Sequence, residues 1–239
     1  MVIRRELGLA RHIGIVAASP EGAALFYRQI SRQASRLLPP HEHPAISIHN
    51  EPLALYIDAI RGDDWHTVGR LLRKSAEFLS RCGAAFAISP DNAVQHGIHL
   101  AEVGSPIPWL AMPDLVGTRI QADKRTKVGL IGTRMVTTGS TYQTLLGIRG
   151  IHVTAPDSRE ADLLDEIIFG ELIYGTIRPE SQRAVLGVIQ NLARRGCEGV
   201  ILGCSEAPLL VTPENAGLPI YDAADILAEE AVRHAMKPG

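Results

Sequence analysis

Short apolar runs alternate with amphipathic stretches in the first part of the chain. The runs that have the length and character of buried strands are 12–16, 45–49 and 85–89. The stretch from 20 to about 38 predicts a helix, because Pro20 suits a first helical turn. Apolar residues also recur at helical spacing between 65 and 82, where Gly83 marks the expected stop. This alternation predicts a parallel sheet with helices on both faces.

The same pattern starts again in the second half of the chain. Segments match in the same order at offsets of 111 to 115 residues, namely 13–16 with 128–131, 83–91 with 196–204, and 107–110 with 218–221. Such a repeat predicts a duplicated unit. We expect an α/β protein of two similar Rossmann-like halves, each a mainly parallel sheet flanked by helices, related by pseudo-two-fold symmetry with the active site between them. The first half would comprise 1–115 plus a C-terminal helix at 222–239, and the second half 116–221.

The repeat brings two ionisable residues to equivalent positions. Asp91 and Cys204 each follow a matched strand, and ligands of open parallel sheets bind outside the carboxyl ends of the strands. The two side chains would therefore meet across one cleft, where they could transfer a proton on opposite faces of one carbon. A helix beginning beside Cys204 would favour its thiolate. The alternative is a buried structural cysteine.

Composition narrows the class of protein. Hydrophobic residues make up 46% and charged residues 21% of the chain, as in ordinary soluble α/β proteins. A net charge of -2 provides no field for attracting nucleic acid or an anionic membrane. No stretch has the length of a signal peptide or a membrane span, so we expect a cytoplasmic protein. The 3 cysteines show no metal-ligand spacing and no GxGxxG loop is present, so neither a metal nor a nucleotide cofactor is expected.

Several segments carry a family resemblance. The most discriminating is GVILGCSE at 199–206, and the others are IGIVAASPE at 13–21, Asp91-Asn92, VGLIGT at 128–133 with Tyr142, and ELIYG at 171–175. The chain resembles the aspartate/glutamate racemase superfamily across essentially its whole length. The resemblance implies an amino-acid racemase that works without pyridoxal phosphate or metal and forms a homodimer. In typical members one cysteine from each half abstracts and returns the α-proton.

The chain departs from that pattern in its first half. Asp91 stands where the family has its first cysteine, and Ala93 stands where a threonine is usual. No arginine occurs between Asn50 and Tyr56, where racemases of acidic substrates are expected to supply a cation, so the substrate need not be acidic. Reference pKa values of about 3.9 for aspartate and about 8.5 for cysteine make Asp91 the expected base and Cys204 the expected acid. Burial would raise the pKa of Asp91.

The remaining candidates would bind the substrate. Asn92 can read a carboxylate or an amine beside Asp91, and Ser19 and Thr133 lie in equivalent turns after the first strand of each half. The resemblance suggests that Arg178 supplies a cation, although a solvated surface arginine is the alternative. The full set of predicted substrate-binding residues is Ser19, Asn50, Asn92, Ala93, Thr133, Arg178, Ser205 and Glu206.

These observations predict a cofactor-independent racemase or epimerase. It would act at the α-carbon of an amino acid or a related small carboxylate, by two-base proton transfer with Cys204 and Asp91. Two alternatives stay open at this point. One is a decarboxylase, isomerase or hydrolase of the same superfamily that needs only Cys204. The other is a relative that binds an amino acid without turning it over.

Overall fold

Two four-stranded sheets form the centre of the protein, in a computed structural model that describes residues 10–237. The strands are β1 (Ile13–Ala17), β2 (Ile46–Asn50), β3 (Phe86–Ile88), β4 (Trp109–Leu110), β5 (Lys127–Ile131), β6 (His152–Thr154), β7 (Val200–Leu202) and β8 (Ile220–Asp222). All neighbours pair in parallel, in the orders β2-β1-β3-β4 and β6-β5-β7-β8. The two sheets have the same strand order, since adding four to each strand number of the first sheet gives the second. The predicted duplicated α/β fold is therefore confirmed.

Helices connect the strands and cover both sheets. In the described part of the chain they are α1 (Pro20–Leu37), α2 (Leu53–Arg61), α3 (Trp65–Arg81), α4 (Gln95–Glu102), α5 (Met112–Ala122), α6 (Arg134–Thr138), α7 (Ser140–Gly147), α8 (Ser158–Gly170), α9 (Pro179–Arg194) and α10 (Ala223–Ala235). Single 3-10 turns occupy 92–94, 172–174 and 207–209. None of the helices between residues 10 and 237 is long and apolar enough to cross a membrane.

The turn after β1 shows how the sequence begins a helix at the edge of the sheet. The Ser19 side chain accepts a hydrogen bond from the Gly22 N–H at 3.1 Å and so caps α1. Pro20 and Glu21 then occupy the first turn, where a missing N–H costs nothing and a negative charge is favourable. The prediction of a helix from 20 to about 38 is confirmed, since α1 ends at Leu37.

One of the hydrophobic clusters spans the two halves. Ile13 and Phe26 from the first half belong to the same buried cluster as Val128 and Leu130 from the second. Helix α10 packs against α1 and α5, so the last described helix returns to the first half. The division of the chain at 115, 116 and 222 stays a prediction. Residues 1–9 and 238–239, which the predicted first half includes, lie outside the described residues.

Asp222 sits at the point where β8 leads into α10. Its Oδ1 accepts hydrogen bonds from the Ala224 and Asp225 N–H groups, and its Oδ2 accepts one from Gln29 Nε2 at 3.2 Å. Burial raises the pKa of Asp222 from 3.8 to about 7. The protonated carboxyl is thus the form that the folded protein favours. The stability that this protonated carboxyl gives the folded protein is lost as the pH rises from about 4 to about 7.

We expect Asp222→Asn to be more stable than the parent at about pH 8, by roughly 1–2 kcal/mol. Asparagine can still cap α10. Gln29 Oε1 has no partner in the described structure and can accept from the new amide if the Gln29 amide turns over. Urea unfolding at about pH 5 and about pH 8 would measure the effect. The stability gap should be clearly larger at the higher pH, and an equal gap at both values would contradict the titration of Asp222.

Candidate active site

A cavity opens between the carboxyl ends of the two sheets. It encloses about 480 Å³, counting the open space at its mouth. Asp91 follows β3 and Cys204 follows β7, and both line this cavity. Ser19 and Thr133 line it as well, from the turns after β1 and β5. The repeat therefore delivers matched pairs of residues to one space.

The Asp91 carboxyl is held by the turn that follows β1. Oδ2 accepts a hydrogen bond from the Ala18 N–H at 2.8 Å, and Oδ1 accepts one from the Ser19 N–H at 3.0 Å. Only 8% of the residue is exposed. Burial raises the pKa of Asp91 to about 7, against the lowering effect of the two amides and with a further increase from Glu206. The predicted rise is confirmed, and Asp91 can both lose and take up a proton near neutral pH.

Cys204 is held as a protonated thiol. Its Sγ donates a hydrogen bond to Glu206 Oε2 at 3.0 Å, and 7% of the residue is exposed. Burial, with the nearby Glu206 carboxylate, raises the pKa of Cys204 well above its ordinary value. The expectation that a helix end lowers this pKa is wrong. The residues that follow form only the 3-10 turn 207–209, and its amides do not outweigh burial and the carboxylate.

Glu206 links the two proton-carrying residues across the halves. Its Oε2 accepts from Cys204, and its Oε1 accepts from Ser19 Oγ at 2.8 Å. The same Ser19 donates its backbone N–H to Asp91. Helix α1 lies so close to Ser205 that position 22 has no room for a side chain. A Cβ on Gly22 would lie 2.9 Å from Ser205 Oγ. Asp91, Ser19, Glu206 and Cys204 thus form one hydrogen-bonded cluster.

Two hydrogen-bonding groups of the cavity have no partner in the described structure. They are Asn92 Nδ2 and Thr133 Oγ1, and both atoms are buried. Asn92 is kept in place by Tyr142, whose hydroxyl donates to Asn92 Oδ1 at 2.5 Å. Buried polar groups are almost always hydrogen-bonded, so an unpaired pair of donors in a cleft indicates a ligand site. A carboxylate would accept from both.

Proteins of known family resemble this chain along most of its length. The sequence model of the Asp/Glu/hydantoin racemase family matches residues 15–231. The chain belongs to this family. A glutamate racemase from Shouchella clausii is 24% identical over 216 residues, which cover 88% of this chain and 72% of that protein. This relative is named as a racemase, as are the solved structures described next, and racemases are isomerases.

Solved structures of family members have the same fold. A Yersinia pestis protein provisionally assigned as an Asp/Glu racemase is 28% identical, with a TM-score of 0.85 over 95% of this chain and 100% of its own. An aspartate racemase homologue from Pyrococcus horikoshii is 24% identical, with a TM-score of 0.83 and the same coverage. The second likeness concerns the fold alone.

Two predicted site residues of this racemase family member have other roles in the structure. The Asn50 side chain donates to the backbone oxygens of Ala17 and Ala18 at 3.0 and 3.2 Å, which fixes the turn after β1, and Asn50 does not line the cavity. Arg178 also lies outside the cavity and pairs with Glu171 at 3.4 Å. Neither residue lines the cavity, and a contact of either with substrate stays a prediction.

The other predicted residues of the racemase site do line the cavity. They are Ser19, Asp91, Asn92, Ala93, Thr133, Cys204, Ser205 and Glu206. Sequence reasoning missed the bond from Tyr142 to Asn92, although Tyr142 was one of the family matches. In residues 10–237 no group of three or more His, Cys, Asp and Glu side chains is arranged to hold a metal ion.

Proposed function

We propose that the protein is an amino-acid racemase or epimerase that moves the α-proton between Asp91 and Cys204 without a cofactor. The observation that carries the proposal is that a carboxyl and a thiol line one cavity from equivalent strand ends. Asp91 has a pKa of about 7, and Cys204 is kept protonated. The pair therefore holds one proton near neutral pH, which is the resting state that a two-base transfer requires.

The cavity also supplies what the reaction needs besides the two bases. Asn92 Nδ2 and Thr133 Oγ1 are free to donate to the substrate's α-carboxylate. Removal of the α-proton moves negative charge onto that carboxylate, so both hydrogen bonds strengthen in the transition state. The α-ammonium faces a site that contains the Asp91 and Glu206 carboxyls. Its positive charge offsets theirs and makes the α-proton more acidic.

The proton transfer is balanced over the pair. The Asp91 carboxylate takes the α-proton from one face of the carbon, and the Cys204 thiol gives its proton to the opposite face. The product is the other enantiomer, with Asp91 protonated and Cys204 as thiolate. Reaction of that enantiomer by the reverse route, or proton exchange with solvent, restores the first state.

Exchange of the α-hydrogen in heavy water, measured over a panel of L- and D-amino acids, tests this function. We expect one deuterium to enter with inversion, which proton NMR and chiral chromatography would detect together. Addition of a chelator and of hydroxylamine, which traps aldehyde cofactors, should leave the rate unchanged. Absence of exchange with every member of the panel would refute the racemase proposal.

A one-sided reaction is the second candidate function. Both Asp91 oxygens already accept backbone hydrogen bonds, while Cys204 is a protonated acid in the same cavity. Decarboxylation of a substituted malonate needs only one such acid, which protonates the resulting enediolate from one face. Release of carbon dioxide from such a malonate, with a single product enantiomer and no α-exchange of amino acids, would favour this candidate.

A further inference from the structure

The part of the cavity away from the proton-carrying cluster is an apolar wall. This wall draws on both halves of the protein and on four separate elements. Its residues are Leu53 and Ile57 of α2, Met135 of α6, Ile168 and Phe169 at the end of α8, and Ile173 of the 3-10 turn 172–174. A surface of this composition offers dispersion contacts and excludes water, but it gives no partner to a polar group.

The charges of the cavity are all of one sign. Asp91 and Glu206 line it, whereas no lysine, arginine or histidine among the described residues does. Three cations on nearby elements form ion pairs outside the cavity. Arg134 pairs with Asp162, Arg178 with Glu171, and Lys74 with Glu51. A second carboxylate on a bound molecule would thus face two buried carboxyls with no cation to offset it.

We propose that this wall is the side-chain subsite and that it selects an amino acid with an apolar side chain, of the size of leucine, methionine or phenylalanine. This rests on the proposed function, which puts the α-carboxylate on Asn92 and Thr133 and so turns the side chain toward the wall. An apolar side chain that enters this subsite gives up only its contacts with water. The carboxylate of aspartate or glutamate loses its hydration and gains no partner, which is a large cost in an apolar setting.

The test compares amino acids of the two classes in two independent measurements. Leucine, methionine and phenylalanine should exceed aspartate and glutamate by roughly 100-fold or more in kcat/KM for α-exchange. They should also bind more tightly to the same protein in calorimetry. If nothing exchanges but the apolar amino acids bind selectively, the racemase function fails and the subsite stands. If aspartate or glutamate is exchanged or bound as well as leucine, the subsite proposal is overturned.

Leu53→Arg tests the wall itself. Leu53 is the first residue of α2 and is only partly buried, so an arginine can enter the cavity without full loss of hydration. We expect the ratio of glutamate to leucine, in kcat/KM or in affinity, to rise at least about tenfold. The matched control is Leu55→Arg, two residues further along α2, with 45% of Leu55 exposed and no contact with the cavity.

The control should keep the ratio of the parent protein. A change as large in Leu55→Arg would mean that net charge, and not the wall, sets the preference, which would overturn the proposal. A folded Leu53→Arg, judged by circular dichroism, with the parent's ratio would overturn it as well. Should Leu53→Arg fail to fold, the comparison of amino acids on the unmodified protein still decides.

Discussion

Cys204→Ser is expected to reduce α-hydrogen exchange by at least about 10³-fold, because a hydroxyl cannot replace the thiol as a proton donor and acceptor. Serine is close to cysteine in size and can still donate to Glu206, which accepts from the thiol at 3.0 Å. The hydroxyl is a far weaker acid than the thiol, and its conjugate base is not formed in a buried site beside a carboxylate. The variant should therefore fold and bind substrate while the chemical step fails.

The other cysteines of the chain provide the matched controls. Cys82 is exposed at the end of α3, and Cys197 is buried in the core of the second half, outside the cavity. Cys82→Ser should exchange at the parent rate, measured by NMR in heavy water. Calorimetry on Cys204→Ser should give an affinity near that of the parent. Exchange by Cys204→Ser within about tenfold of the parent would remove Cys204 from the mechanism.

The fold was predictable wherever local signals agreed with the repeat. The start of α1 follows from Ser19, Pro20 and Glu21, and the repeated apolar runs correspond to strands of the same rank in the two sheets. The weak match of 107–110 with 218–221 also corresponds to a real equivalence, since β4 and β8 are the last strand of each sheet. Strand order could not be read from the runs, because it is decided by packing between distant segments.

The site was predictable in position but not in side-chain direction. Asp91, Asn92, Thr133 and Cys204 line the cavity because residues that follow parallel strands gather at one edge. Arg178 follows no strand, and its contact with Glu171 depends on a nearby, mostly buried carboxylate that spacing does not reveal. The rise in the pKa of Cys204 was missed for a similar reason. It depends on burial and on the orientation of Glu206, which only the folded chain defines.

The pH profile of kcat/KM is expected to have its acid limb near pH 7. The reactive enzyme holds one proton on the pair of Asp91 and Cys204, so activity appears as the doubly protonated pair loses its first proton. Burial raises the pKa of Asp91 to about 7, whereas that of Cys204 lies well above its ordinary value. Activity should therefore rise with pH through about 7. Both directions must show the same limb, because enantiomers are equally stable.

Variants of Asp91 test whether the titration of this residue produces the acid limb of the pH profile. Asp91→Asn should lose exchange by at least about 10³-fold, since an amide takes up no proton in this range. Asp91→Cys should remain active, with its acid limb at least about one pH unit higher, because a thiol replaces a carboxyl. Asp222→Asn is the control, since it removes a partly buried carboxyl whose pKa is also raised to about 7 and which lies outside this cavity. Asp222→Asn should keep the limb of the parent. If Asp91→Asn keeps the rate and the limb, Asp91 is not the base, and a single-acid reaction at Cys204 becomes the better account.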